Sequence, residues 1–167
     1  MMPVSADEFR NGMRRLGGAV NIVTAADGDI WAGLTATAVT SLSAEPPRLL
    51  ACINRQGVTY DIVSKGRTLG VNVLGRQHQA LAMRFAGLNG EPETERFNDG
   101  EWLTSVSGAP LLESALVSFD CSVESILDAG SHAIVIGNIE TIRAADIDVA
   151  DPLCYIDGNW ATLTPIP

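Results

Sequence analysis

The chain has 167 residues and a formal net charge of −9, with 46% apolar and 19% charged side chains. That length suits one domain with an ordinary core and is short for two, and the composition excludes a disordered chain. The acidic balance argues against a nucleic-acid partner, no window approaches 18 uninterrupted apolar residues, and no secretory leader is visible, so the sequence reads as a single cytoplasmic domain over 1–167 with no membrane span.

The charge is not evenly spread. Residues 1–100 hold ten acidic and ten basic side chains, whereas residues 101–167 hold ten acidic ones and a single base, Arg143. An anionic ligand, if one is bound, should be met by the first hundred residues. The three cysteines, Cys52, Cys121 and Cys154, are far apart, form no C-x-x-C, and sit in apolar runs. They read as buried reduced thiols rather than a disulfide framework or a zinc site.

In chain order, Ser5-Ala6-Asp7-Glu8 is a capping box that starts a helix, and Phe9, Met13 and Leu16 share one face before Gly17-Gly18 stops it. Ala19 to Ala25 and Trp31 to Val39 read as strands joined at Asp27-Gly28, and Pro46-Pro47 ends that segment. Leu49 to Ile53 is a short apolar run, expected as a strand buried on both faces. A short helix is expected over Thr59 to Ser64, then a half-buried strand in which Leu69, Val71 and Val73 alternate with polar or small residues, then a helix from Arg76 to Phe85. Residues 88–100 form a polar surface loop. Ala115 to Glu124 alternates apolar and polar residues, a strand with one wet face, and the chain returns from His132 to Ile142 with a bulge expected at Gly137. A last hairpin joins Leu153–Ile156 to Trp160–Leu163 through Asp157-Gly158. Strands that do not alternate regularly with helices exclude a doubly wound parallel sheet and favour a small antiparallel barrel with helices outside it.

The sequence lacks both common phosphate-cradling glycine loops, a nucleophile elbow, and any histidine cluster fit for a metal, so no metal site is expected. Any difficult chemistry would fall to a bound organic cofactor. Three stretches carry interest. Gly33 to Pro47, GLTATAVTSLSAEPP, sets hydroxyls among small apolar residues. It suits a planar ligand approaching the backbone, and it equally suits an edge strand rich in threonine for its β-propensity. Asn54-Arg55-Gln56-Gly57 leads from a strand into a helix start, which favours phosphate, or is a solvated loop. Gly130-Ser131-His132 sets a histidine beside a tight turn, either for a ligand or as surface decoration.

Taken in order, FRNGMRRLGGAVNIVT, GLTATAVTSLSAEPPRLLACIN, LGVNVL, Arg84-Phe85-Ala86-Gly87, Arg96-Phe97, GAPLLESALVSFDCSV, Gly-x-His and PLCYIDGNW resemble the short-chain flavin reductases over nearly the whole chain. The likeness is strongest to reductase components of two-component flavin monooxygenases, including the pyrimidine-utilisation flavin reductases. The resemblance implies a mainly β fold with flanking helices, built on a six-stranded antiparallel Greek-key split barrel that binds flavin. It implies a homodimer with the flavin near its interface. The reaction would pass a hydride from NADH or NADPH to FMN or FAD, and a separate flavin-dependent oxygenase would receive the reduced flavin. By motif, Thr35, Ala36, Thr37 and Ala38 would line the isoalloxazine. Ser41, Leu42, Ser43, Asn54, Arg55, Gln56 and Gly57 would hold the ribityl chain and phosphate, and Cys52 would also be among the cofactor-binding residues. Arg84 and Phe85 would flank the flavin, and His132 would face the nicotinamide as the catalytic residue. Many family members have serine at the positions of Gln56-Gly57 and aspartate at that of Ser131. The alternatives are a flavoprotein reducing another acceptor, such as a corrinoid or ferric complex, and a flavin or haem binder without turnover.

Overall fold

The computed structural model describes residues 3–146 and 151–167. Helix α1 (Ala6–Met13) is closed by the expected capping box, with the Glu8 backbone N–H donating to the Ser5 hydroxyl. It is followed by β1 (Gly18–Ala19), β2 (Asn21–Asp27), β3 (Ile30–Ala36), β4 (Val39–Ala44), β5 (Pro47–Asn54), α2 (Val58–Gly66) and β6 (Thr68–Val73). A 3-10 turn at Arg76–His78 leads into α3 (Gln79–Phe85), and a second lies at Arg96–Asn98. Then come β7 (Trp102–Thr104), β8 (Pro110–Leu112), β9 (Val117–Ala129), β10 (His132–Ala144), β11 (Cys154–Ile156) and β12 (Asn159–Ala161). None of the helices is long and apolar enough to cross a membrane among the described residues.

The main sheet has seven antiparallel strands in the order β3-β2-β6-β9-β10-β5-β4, one more than the six expected. Its two edge strands, β3 and β4, are joined by Thr37 and Ala38 alone. Three peptide units from Ala36 to Val39 span at most about 11 Å. The sheet must therefore curl until its opposite edges meet. The core confirms the curl, since Val23, Ala25 and Ala32 from one end share a single cluster with Leu49, Ala51 and Ile53 from the other. Helix α2 closes this barrel with Ile62 and Val63. A second cluster gathers Val20, Ile22, Leu74 and Leu153 around Phe85 on α3, beside the small sheet β1-β11-β12.

Several local expectations change. Segment β6 is buried on both sides through Asn72 rather than half-buried. The polar face of β6 and β9 lies beneath the segment leading into β8. Leu112 N–H and the Ser118 hydroxyl both donate to Asn72 Oδ1, each at 2.8 Å, and Asp120 accepts from Ser107. At Ser118 and Asp120 the alternation in β9 therefore separates an apolar core from a buried polar layer rather than from water, whereas Ser122 and Glu124 further along the same face reach solvent. Strand β5 buries Leu49, Ala51 and Ile53 fully but leaves Leu50 and Cys52 half-exposed. Pro46-Pro47 forms the β4–β5 turn instead of ending the strand region. The bulge at Gly137 is present, and the last hairpin turns on Asp157 and Gly158, both with positive φ. The apolar stripe of α1 does not face the core, since Phe9 and Met13 are exposed and Leu16 lies beyond the helix end.

Two buried ionisable groups sit outside the barrel seam. Burial, with help from Asp120 and Glu140, pushes the Cys121 thiol up to about 12, so it is an inert packing group. The His78 ring is buried, its Nδ1 accepting from Gly75 N–H at 3.0 Å and its Nε2 3.0 Å from the Ser114 hydroxyl. Burial holds its pKa below the ordinary imidazole value. The unfolded chain then takes up a proton more readily than the folded one below about pH 6.5. The stability from neutral His78 is complete above that pH and is lost as the pH falls. We expect urea midpoints of the wild type to drop more between pH 7 and pH 5 than those of His78→Gln; equal drops would show that His78 does not titrate in this window.

Candidate active site

The seam where β3 and β4 part opens into a cleft of about 380 Å³, lined by Leu34, Thr35, Ala36, Thr37, Ala38, Cys52, Asn54, Phe85, Ala86, Glu93, Arg96 and His132. Eight of the sequence-derived candidates therefore converge. The wall of Thr35 to Ala38 has small side chains, and β3 has a strand neighbour on one side only. Its free edge offers backbone donors and acceptors that a planar ligand can reach. The Thr35 hydroxyl faces inward, donating to Ala82 O at 2.7 Å, which ties β3 to α3. Phe85 lies at the floor and is fully buried, edge-on to Phe97 and tilted against Trp102. Gly33 allows this, because a Cβ there would sit 2.8 Å from the Phe85 ring.

His132 arrives from the far side of the barrel. It opens β10 and pairs in register with Asn54 at the end of β5. The hairpin carrying it is clamped to the turn after β5: Arg55 N–H donates to Ser131 O at 3.0 Å, and the Arg55 guanidinium donates to Gly130 O at 3.0 Å and pairs with Asp128 at 2.8 Å. The exposed His132 ring has the Ser131 hydroxyl 3.0 Å from Nδ1.

The remaining candidates are placed differently. Arg55, Gln56 and Gly57 adjoin the cleft without lining it, and the Arg55 side chain is committed to the hairpin. Arg84 is not in the wall and pairs with Glu91 at 3.4 Å. Ser41 and Ser43 line a separate cavity of about 350 Å³ with Arg48, Phe119 and Ile139, while Leu42 sits exposed at a register shift in β4. Within one chain, Ser41 to Ser43 do not reach the cleft. A larger cavity of about 530 Å³ lies between α1 and the β11–β12 hairpin. It lacks the histidine, and its Arg10 and Arg14 pair with Asp7 and Asp157, so we place the site at the seam.

Sequence reasoning missed Glu93 and Arg96, both in the segment read as a surface loop. Arg96 is buried and donates to Phe85 O at 2.7 Å, Gly33 O at 3.1 Å and Glu91 O at 3.2 Å, pinning the segment over the cleft. The one signal available was Arg96-Phe97, a charged and an aromatic residue together in an otherwise polar stretch. The Glu93 carboxylate accepts from both the N–H and the hydroxyl of Thr59 at the start of α2.

The seam suits a flavin on its own chemistry. It has a free strand edge for the polar rim of a planar ring, small side chains that admit the ring, an aromatic floor, and a helix start adjoining one end. A sequence profile described as flavin reductase like domain matches residues 13–164, and the chain belongs to that family.

Within the family it is similar to proteins named FMN reductase (NADH) RutF. The relative from Agrobacterium fabrum is 45% identical over 156 residues, covering 93% of this chain and 87% of that protein. One from Rhizobium rhizogenes, named RutF 2, is 43% identical over 153 residues, covering 92% and 86%. Among solved structures, the flavin reductase PheA2 superposes with a TM-score of 0.86 at 26% identity, covering 97% of this chain and 100% of that one. BorF, the flavin reductase component of a bacterial two-component tryptophan halogenase, gives 0.85 at 28% identity, covering 97% and 100%.

Replacing Arg96 by Met would leave three carbonyls without their donor. The loss should be about 1–3 kcal/mol of stability, measured by urea unfolding. A variant as stable as the wild type would show that these carbonyls find other donors.

Proposed function

We propose that this protein is an NADH-dependent FMN reductase that supplies reduced flavin to a separate oxygenase. The observation that carries the reading is the meeting of His132 with the Thr35–Ala38 edge in one cleft, in a chain whose close relatives are named FMN reductase (NADH). When bound, the flavin accepts a hydride from the nicotinamide, so that NADH, FMN and a proton become NAD⁺ and reduced FMN.

The chain's own part is to bind and orient. Thr35 to Ala38 present backbone groups to the ring edge. Phe85 and Ala86 back it, and Asn54 with the start of α2 receives the ribityl chain and phosphate. Asn54 Oδ1 already accepts from Gln56 N–H at 2.9 Å, which orders this turn and leaves the amide nitrogen as a donor. The Ser131 hydroxyl can donate to His132 Nδ1, fixing the tautomer whose Nε2–H is free for the nicotinamide carboxamide. No general acid–base pair is needed, which agrees with a cleft in which His132, among the described residues, has only Ser131 as a side-chain hydrogen-bond partner.

The finer architecture we read is a single split-barrel domain. Its six Greek-key strands are β3, β2, β6, β9, β10 and β5, with β4 an added edge. We place the protein in the cytoplasm. We also infer a homodimer, because Phe9, Met13, Leu16 and Ile156 leave an apolar patch around α1 with no partner in the described chain. Sedimentation should show a dimer, and Phe9→Asp with Met13→Asp should shift it towards monomer. A wild-type monomer competent in flavin binding would overturn the assembly.

The reductase reading is tested by anaerobic addition of NADH to the protein with FMN, following loss of the oxidised flavin absorbance; no bleaching would sink it. His132→Ala should leave the FMN dissociation constant nearly unchanged. One lost hydrogen bond of about 1–2 kcal/mol should lower kcat/KM for NADH roughly 5- to 30-fold. Collapse of flavin binding with normal reduction of the remaining complex would show that His132 is a flavin ligand instead.

A further inference from the structure

We propose that Glu93 is the resident anion of the flavin-phosphate subsite, and so the residue that sets how tightly a phosphorylated flavin is held. The inference rests on the reading above that the start of α2 receives the phosphate. Five observations support it. The N-cap of α2 is Gly57, which has no side chain to satisfy the first turn. The cap comes instead from Glu93, 34 positions further on, whose carboxylate accepts from Thr59 N–H and Thr59 Oγ1, both at 2.5 Å. Gly57 makes the room, since a Cβ there would stand 2.8 Å from Glu93 Oε1. The segment that delivers Glu93 is anchored on either side of it, by the Arg84–Glu91 pair at 3.4 Å and by the buried Arg96 fork. Finally, Glu93 lies in the wall of the same cleft as Thr35 to Ala38 and His132.

A helix start carries about half a positive charge and a few free N–H groups. That is enough to favour one anion, and two at van der Waals distance repel. A flavin phosphate approaching Thr59 must displace the carboxylate or stand off from it. The phosphate then contributes to affinity only by the margin over the carboxylate it replaces. Riboflavin has the same ring and ribityl chain but no phosphate, and it should not sense the exchange. For a reductase that must hand its product to another protein, such a resident competitor keeps reduced FMN releasable, and the vacated cap is refilled from within the chain.

The test is titration of FMN and of riboflavin into the flavin-free protein, followed by flavin fluorescence, at fixed pH and ionic strength. Glu93→Gln keeps the shape and removes the charge. We expect it to tighten FMN about tenfold while riboflavin moves less than about twofold. Glu93→Ala should shift the ratio of the two constants in the same direction. Adding Thr59→Val to Glu93→Gln should return the ratio towards one, because the hydroxyl donor to the phosphate is gone. Thermal unfolding of each variant confirms that it is folded.

The proposal is overturned if either Glu93 variant leaves FMN unchanged or weakens it, or if FMN and riboflavin shift together. A ratio that responds to Thr59→Val but not to Glu93→Gln would reject Glu93 as the competitor while keeping the phosphate at α2. A ratio near one in the wild type and in every variant would reject the phosphate placement itself.

Discussion

Two residues, Thr37 and Ala38, connect strands that lie at opposite edges of one seven-stranded sheet. A linker that short cannot cross a flat sheet, because seven strands at about 4.8 Å spacing would separate the edges by nearly 30 Å. The curl of the barrel, the meeting of its ends in one core, and the existence of a seam all follow from this link. The candidate cleft opens at this same seam. Edge strands with free backbone groups invite pairing with another chain. Here β3 keeps short side chains on that edge, and the space beside it is bounded by α3, the 88–98 segment and the β9–β10 hairpin. The free backbone of β3 thus lines a bounded cleft instead of lying open as a flat edge.

The walls of the cleft are held by interactions within the chain. Arg55 ties the turn after β5 to the His132 hairpin by three contacts. Arg96 ties the loop to β3 and α3 through their carbonyls. Thr35 ties β3 to α3 through its hydroxyl. Rigid supports of this kind matter for hydride transfer, which depends on two rings being stacked at close range more than on proton-moving groups. Arg55 and Arg96, two bases of the first hundred residues, are thereby engaged within the chain.

The asymmetry of charge keeps a different meaning in the folded protein. The acids of the last third include Asp128 and Glu124, which pair with Arg55 and Arg48 from the first half. Part of the imbalance is thus spent on joining the two halves of the barrel. At the cleft itself, the charge nearest the start of α2 is negative, supplied by Glu93.

Much was legible in the sequence. The capping box at Ser5, the Asp157-Gly158 turn, the bulge at Gly137 and the period-two pattern of β9 are local signals, set by φ preference and hydrogen-bond reach within a few residues, and each appears where expected. Motif likeness placed Thr35 to Ala38, Cys52, Asn54, Phe85 and His132, and the fold gathers them in one cleft. What the sequence could not show is what covers what. Asn72, Ser118 and Asp120 read as solvent-facing, yet the 105–112 segment buries them, because a hydrogen-bonded polar layer has the same alternation as a wet one. The apolar face of α1 read as core-facing but meets no core in this chain. Glu93 and Arg96 sat in a stretch whose composition says only loop, since a carboxylate that caps a helix 34 residues earlier leaves no local pattern. The sequence alone determined the elements and their turns, because those are decided over a few bonds. The seam, the cleft and the occupant of the helix start were decided only by tertiary structure, because they depend on the distance between residues that the chain brings together from far apart.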